Sequence, residues 1–407
     1  MLEVTLDHAK RFILDVQGLR TGTPCKSMMD VAYRIHNIQI DTISVVSRSH
    51  NLITFNRFPE YEEGSIWNYE KKGDLFEYWS HSMCMMPIET YPFYTWRMQF
   101  YPGNRTKKWA IANKDTIDQV YRHVKTNGMT KSASIGERKV DTTGWWDWTA
   151  EKNALEFLYT TGKLMIAYRQ GFQKYYDLTE RVLPAHIDDE PMTDAEAAEF
   201  VVDSSLCSLG IGCYDDIRTY HNKLPSQELW KGRKEQIEAY LDQRVKNGDL
   251  EEVSIAGVKE RYFILAANID QLQSESKFNL DTTPVKLLTP FDNIMRERAF
   301  PKRIWNFDYK IECYTPAPDR VYGYFALPIL DKTELAGRLD AKAHRKEGIL
   351  EVKSLYLESE DLRTTEGLER LQNGLGNFTK FHNCDSIKVG KVSPRKLTKK
   401  VSNLFAH

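Results

Sequence analysis

The 407-residue chain has no long apolar run, no closely spaced cysteine pair and almost no net charge. Its longest apolar stretches, residues 262–267 and 323–330, are strand-sized. A membrane helix needs about 20 apolar residues, so no membrane span is expected. The six cysteines at 25, 84, 207, 213, 313 and 384 include no C-x-x-C pair. That spacing argues against a zinc ribbon or a disulfide framework, and the thiols read as reduced. Residues 1–10 carry Glu3, Asp7 and Lys10 with no apolar core behind them, so no secretory leader is legible and a cytoplasmic location is expected. A net charge of -1 excludes a polycation that coats nucleic acid without selection. The charge is nonetheless segregated: residues 101–140 carry nine Lys or Arg against three acids, and residues 181–200 one Arg against six acids. A localised groove for a polyanion would require such segregation.

With 41% apolar and 28% charged residues, the chain reads as globular and long enough for several cores. Chemistry shows in one place, residues 35–57. Gln39 and Asp41 stand two apart with Ile38, Ile40 and Ile43 around them, which suits a strand or tight turn, because helical residues two apart diverge. Asp41 also precedes the run Thr42-Ile43-Ser44-Val45-Val46-Ser47-Arg48, which reads as a short helix whose free amides its side chain caps, a bond that would keep it ionised. An Asp in that position is often no more than a cap. Arg48, His50 and Arg57, however, follow closely and are candidates for holding phosphates beside the carboxylate. His81 and Glu77 are four apart, yet two ligands without a third make no metal site, and no metal or cofactor is expected.

Thr5 is placed to cap a first helix and Ser27 with Asp30 a second; strands carrying Leu52, Ile53 and Phe55 would follow the third. Helices at 116–126 and 152–161, stopped by Gly128 and Gly162, precede a hairpin at 164–169 and 172–177 around Gly171. Between them lie Trp145, Trp146 and Trp148, which read as core. Residues 193–209, 235–247, 250–255 and 261–265 repeat the order helix, helix, strand, strand. Beyond residue 284, short strands at 285–288, 309–314, 320–327, 335–339 and 349–357 suggest a small barrel, followed by a helix at 365–378. The reading is an α+β chain of three tandem winged helix-turn-helix domains (1–112, 113–186, 187–282) and a small C-terminal β-barrel (283–407).

Gln39-Ile40-Asp41-Thr42, followed by residues 45–52, resembles the YcaQ/AlkZ-type DNA glycosylases, winged-helix enzymes that unhook interstrand crosslinks. Their Gln-apolar-Gln or Gln-apolar-Asp motif is catalytic, and the Asp form here resembles the YcaQ (AlkX) branch. The likeness continues through Glu77, Trp79, His81, Pro87, Arg97 and Met98, then Arg169, Gly171 and residues 176–184, and later Pro290-Phe291-Asp292, Arg296, Glu312, Arg338, Asp340 and Lys342. It implies catalysis by Gln39 and Asp41 and a DNA path bordered by His81 and Arg97, while Arg338, Lys342 and Arg345 are candidates for phosphate contact.

Glycosidic hydrolysis usually takes two carboxylates. One suffices if the departing base is already cationic, as in N7-alkylguanine, because it leaves without protonation. Asp41 would stabilise the positive sugar and Gln39 hold the water. No lysine adjoins the pair, so simple hydrolysis is expected over a Schiff-base lyase. The expected partner is double-stranded DNA with alkylated or crosslinked purines, met by a monomer in an open cleft. A regulator that reads an operator, with Asp41 as a mere cap, is the competing class.

Overall fold

In the computed structural model, residues 2–20, 24–101, 103–131, 134–135, 149–274 and 283–405 are described. Compactness divides the chain into Met1–Glu63 with Val201–His407, and Gly64–Phe200. In the first unit, Thr5 caps the helix Leu6–Val16 by accepting the His8 amide at 3.1 Å. Ala9, Phe12 and Ile13 are buried on one face, as a 3.6-residue period requires. Ser27 accepts the Asp30 amide at 3.1 Å at the start of the helix Met28–Ile35. Both caps match the sequence reading. The strand Leu2–Val4 does not appear in that reading; it is only three residues long, and its partner lies some 250 residues away. It pairs parallel with Leu250–Ile255, which neighbours Tyr262–Leu265 and then Gly212–Cys213. The helix Lys234–Asn247 stops at Gly248, whose left-handed φ of 83° suits glycine.

The same unit holds a five-stranded sheet in the order Lys286–Leu287, Leu327–Asp331, Glu334–His344, Ile349–Leu357, Ser386–Ser393. Among the described residues its edges do not pair with each other, so it is an open sheet and not the expected closed barrel. The reason lies in the last connection. The helix Thr365–Phe381 carries the chain back so that Ser386–Ser393 joins parallel to Ile349–Leu357. Leu368, Leu371, Leu375 and Phe378 then bury the helix against Leu339, Leu350 and Val352 of the sheet. Gly374 lets this helix press onto the first strand, because a Cβ there would run into the backbone of Val285. Residues 309–314 form a loop and not the expected strand, and the helices Asn293–Arg296 and Ala299–Trp305 stand where none is expected.

In the unit Gly64–Phe200, the antiparallel hairpin Leu75–Trp79 and Met83–Pro87 packs its Phe76 and Tyr78 edge-on against Tyr91 and Tyr94. The helix Lys114–Asn127 ends at Gly128. Thr130–Lys131, Gln173–Leu178 and Leu164–Gln170 form a sheet in that order, with the helix Ala150–Thr160 between its first strand and its hairpin. Trp145, Trp146 and Trp148 lie outside the described residues.

Candidate active site

Ile38–Gln39 is a short strand, and the chain then runs irregularly to the helix Ser49–Arg57. The helix expected at 42–48 is therefore absent, and Leu52 and Ile53, expected in strands, lie fully buried in a helix. Side-chain chemistry explains the shift. Thr42, Ile43, Val45 and Val46 are β-branched, and Ser44 and Ser47 compete for backbone hydrogen bonds, so this run propagates a helix poorly. Val46 instead drops into the core with Leu52, Leu339 and Leu350, which seats the 40–48 loop on the five-stranded sheet.

Within that loop Ile38 and Ile40 are buried, Gln39 is 8% exposed and Asp41 is half-buried. Asp41 Oδ1 accepts the Ile43 amide at 3.2 Å, as a cap would. Its Oδ2 is buried without a hydrogen-bond partner among the described residues. Burial pushes the Asp41 carboxyl above its ordinary value, against the opposing pull of the Ile43 and Thr42 amides and the Arg48 charge. The expected pull of capping amides is present but does not prevail: with no helix behind it, desolvation outweighs a turn of amides, so the carboxyl sits above its ordinary value. The result is a carboxylate fixed by one oxygen, with the other uncommitted and more basic than usual.

A side-chain network braces the loop from behind. Ser47 Oγ donates to Glu63, and Asn51 Nδ2 donates to Ser47 Oγ at 3.0 Å and to Glu63 at 3.3 Å. Tyr61 donates to Asn51 Oδ1 at 2.8 Å. Arg345 donates to the Val46 carbonyl at 2.8 Å and meets Glu63 at 3.2 Å, which commits to the loop a cation that the sequence offered to phosphate. Ile311 packs on the same core cluster as Ile43, and in the 310–321 loop burial and then the negative charge of Asp41 push the Cys313 thiol up, while Tyr314 also feels that charge.

Several expected DNA contacts are internal. Arg57 is fully buried and bidentate to Asp292 at 2.7 and 2.9 Å, with Gln17 at 2.8 Å. His50 is 1% exposed, within the helix. Arg97 is fully buried and donates to the Ser80 carbonyl at 2.8 Å. Arg338 bonds Glu358 at 2.6 Å and lies over the Phe307 and Tyr322 rings. Each is enclosed by partners that only the folded chain assembles, so none offers a free guanidinium or imidazole to a duplex. Arg48 is partly exposed, Lys342 is exposed and His81 is half-buried in a hairpin turn. Glu77, considered beside His81 for a metal, is taken by Arg169 at 2.6 and 2.5 Å. The helix Asn104–Ala112 buries no residue and presents Arg105, Lys107 and Lys108 to solvent. The basic bias of residues 101–140 was the only sequence signal for it.

A family model for AlkZ-like DNA glycosylases matches residues 33–378. The fold is similar to that of the Streptomyces sahachiroi DNA glycosylase AlkZ, with a TM-score of 0.66 at 15% sequence identity, over 96% of this chain and 100% of that one. The extent of the family match, from the helix before Gln39 to the helix behind the five-stranded sheet, establishes that the chain belongs to the AlkZ-like DNA glycosylase family.

Proposed function

We propose that the protein is a monofunctional glycosylase that hydrolyses the N-glycosidic bond of cationic alkylated purines in double-stranded DNA, N7-alkylguanine above all, and unhooks interstrand crosslinks built from them. The observation that carries this reading is the Asp41 carboxylate, of a half-buried residue, tethered through Oδ1 and with Oδ2 free of hydrogen-bond partners among the described residues. In the proposed reaction the sugar–base bond breaks with its electron pair going to the base, which cancels the positive charge of that base. Water adds to the sugar carbon and yields a proton to Asp41. A raised carboxyl pKa makes Asp41 a better proton acceptor than an exposed aspartate, and its charge stabilises the oxocarbenium-like sugar. Gln39, two residues earlier, holds the water.

Arg48, whose charge acts on Asp41, and the exposed Lys342 supply cations for backbone phosphates. The order helix, strand, helix, hairpin in residues 113–186, and its counterpart in residues 187–282, supports tandem winged helices as the DNA-binding scaffold. The test is to incubate the protein in EDTA with duplex DNA carrying N7-methylguanine and to quantify free base. Wild type is expected to release 7-methylguanine, and Asp41→Asn to bind the duplex but release none above the spontaneous rate. Equal loss of binding and release in Asp41→Asn would remove the catalytic assignment.

A further inference from the structure

The loop between the helix Ala299–Trp305 and the strand Leu327–Asp331 carries a side chain for which the fold has no evident use. Tyr314 is 89% exposed, the most exposed of the large apolar side chains described, and Val321 on the returning arm of the same loop is 61% exposed. An exposed aromatic on a floppy loop would mean little, but this loop is held. The Glu312 carboxylate accepts the amides of Val321, Tyr322 and Gly323 at 3.0, 2.8 and 3.0 Å, tying the two arms together directly before Tyr314. The Thr315 amide donates to the Glu312 carbonyl at 3.0 Å, and Arg320 Nε donates to the Thr315 carbonyl at 2.8 Å, so the residue after Tyr314 is fixed from both directions. Arg320 in turn lies 4.9 Å over the Tyr324 ring. Pro316 and Pro318 stiffen the tip further. The ring is thus presented to solvent by a pre-organised backbone, and Ile311, three residues before it, packs on the same core cluster as Ile43 and Val46 of the Asp41 loop; the charge of Asp41 is felt at Tyr314 as well.

We propose that Tyr314 stacks on a base of the duplex at the lesion and so holds the damaged nucleotide beside Asp41. The inference rests on the glycosylase reading and names a residue that reading does not contain. An aromatic face is suited to the task because every base offers a π-face, and such stacking is indifferent to sequence, as a repair enzyme requires. Immobilising the loop in the free protein means that little ordering entropy is lost on binding.

Wild type, Tyr314→Phe, Tyr314→Ala and Asp41→Asn are compared on a duplex with N7-methylguanine next to 2-aminopurine, whose fluorescence rises when its stacking in the duplex is broken. Base release and duplex affinity are followed in the same samples. Tyr314→Phe is expected to behave as wild type within about twofold. Tyr314→Ala is expected to lose the fluorescence rise and about 10- to 100-fold in single-turnover base release, the range of a lost base–aromatic stack. Asp41→Asn is expected to keep the fluorescence rise while releasing no base. If Tyr314→Ala brightens 2-aminopurine and releases base as wild type does, the stacking role is overturned. If wild type releases no base, the proposed reaction fails, and the fluorescence of Tyr314→Ala against wild type still decides the role of Tyr314.

Discussion

Replacing Arg57 by methionine withdraws a guanidinium from an ion pair in which neither side chain reaches solvent. Asp292 loses its two donors at 2.7 and 2.9 Å and keeps the Ile294 amide at 3.3 Å, too little to satisfy a buried carboxylate. The Gln17 side-chain oxygen and the Ile53 carbonyl lose donors at 2.8 and 3.1 Å as well. Removing one partner of a buried pair costs about 3–5 kcal/mol, far more than the pair is worth against an apolar replacement, because the remaining charge is stranded. At roughly 2.1 cal/mol/K of unfolding entropy per residue, that loss lowers the melting temperature of a 407-residue chain by about 4–6 °C. Calorimetry gives the stability, and fluorescence anisotropy with a labelled duplex, at a temperature where the variant is folded, gives the affinity. Affinity is expected to stay within about twofold, and Asp292→Asn in the same chain to recover part of the stability by removing the stranded charge. An unchanged melting temperature together with a fall in affinity of about tenfold, some 1.4 kcal/mol, would refute the internal role and restore Arg57 as a DNA contact.

Asp41→Asn is expected to raise stability near neutral pH by about 1 kcal/mol, since it removes a charge from a carboxylate whose Oδ2 is buried without a partner among the described residues and keeps the acceptor for the Ile43 amide. The folded pKa of Asp41 is raised, so its ionisation destabilises the fold at pH above the ordinary carboxylate value; the advantage of the variant therefore shrinks as the pH falls through the raised pKa and is gone below the ordinary one, which urea titrations across pH will show. The same raised pKa predicts that base release by wild type falls on the acid side at a higher pH than an exposed aspartate would give, measured as the pH dependence of the single-turnover rate. Arg169→Ala is expected to cost about 3 kcal/mol, because it leaves the buried Glu77 carboxylate with only the more distant Lys174 ammonium, at 3.8 Å, among the ion pairs of the described residues, and chemical denaturation checks it. Gly374→Ala is expected to destabilise by more than the usual gain of about 0.4–1 kcal/mol for Gly to Ala, because its Cβ meets the Val285 backbone; a fall in the urea midpoint is the readout.

Much of the local structure was legible because its causes are local. Thr5 and Ser27 accept amides three residues on, Gly128 stops its helix, and the hairpin at residues 164–178 turns around Gly171, all within a few residues of chain. The Gln39 to Asp41 motif was legible for the same reason, since its meaning resides in three consecutive residues and their apolar neighbours. Residues 42–48 read as a helix but form a loop, because their β-branched run gains more by sending Val46 into a core built largely of residues beyond 285, which a local reading does not see.

By itself, then, the sequence determined the family, the caps and breakers, and the acid and amide on which the proposed chemistry rests. Only the tertiary structure decided which cations face outward: Arg57, Arg97 and Arg338 look in sequence like Lys342, yet they are enclosed and Lys342 is exposed. A basic side chain is free or spoken for according to what the fold brings to it, and in Arg57 that partner comes from 235 residues away. The raised basicity of Asp41 is of the same kind, because desolvation depends on the packing of the whole unit around a carboxyl and not on the residues beside it in the chain.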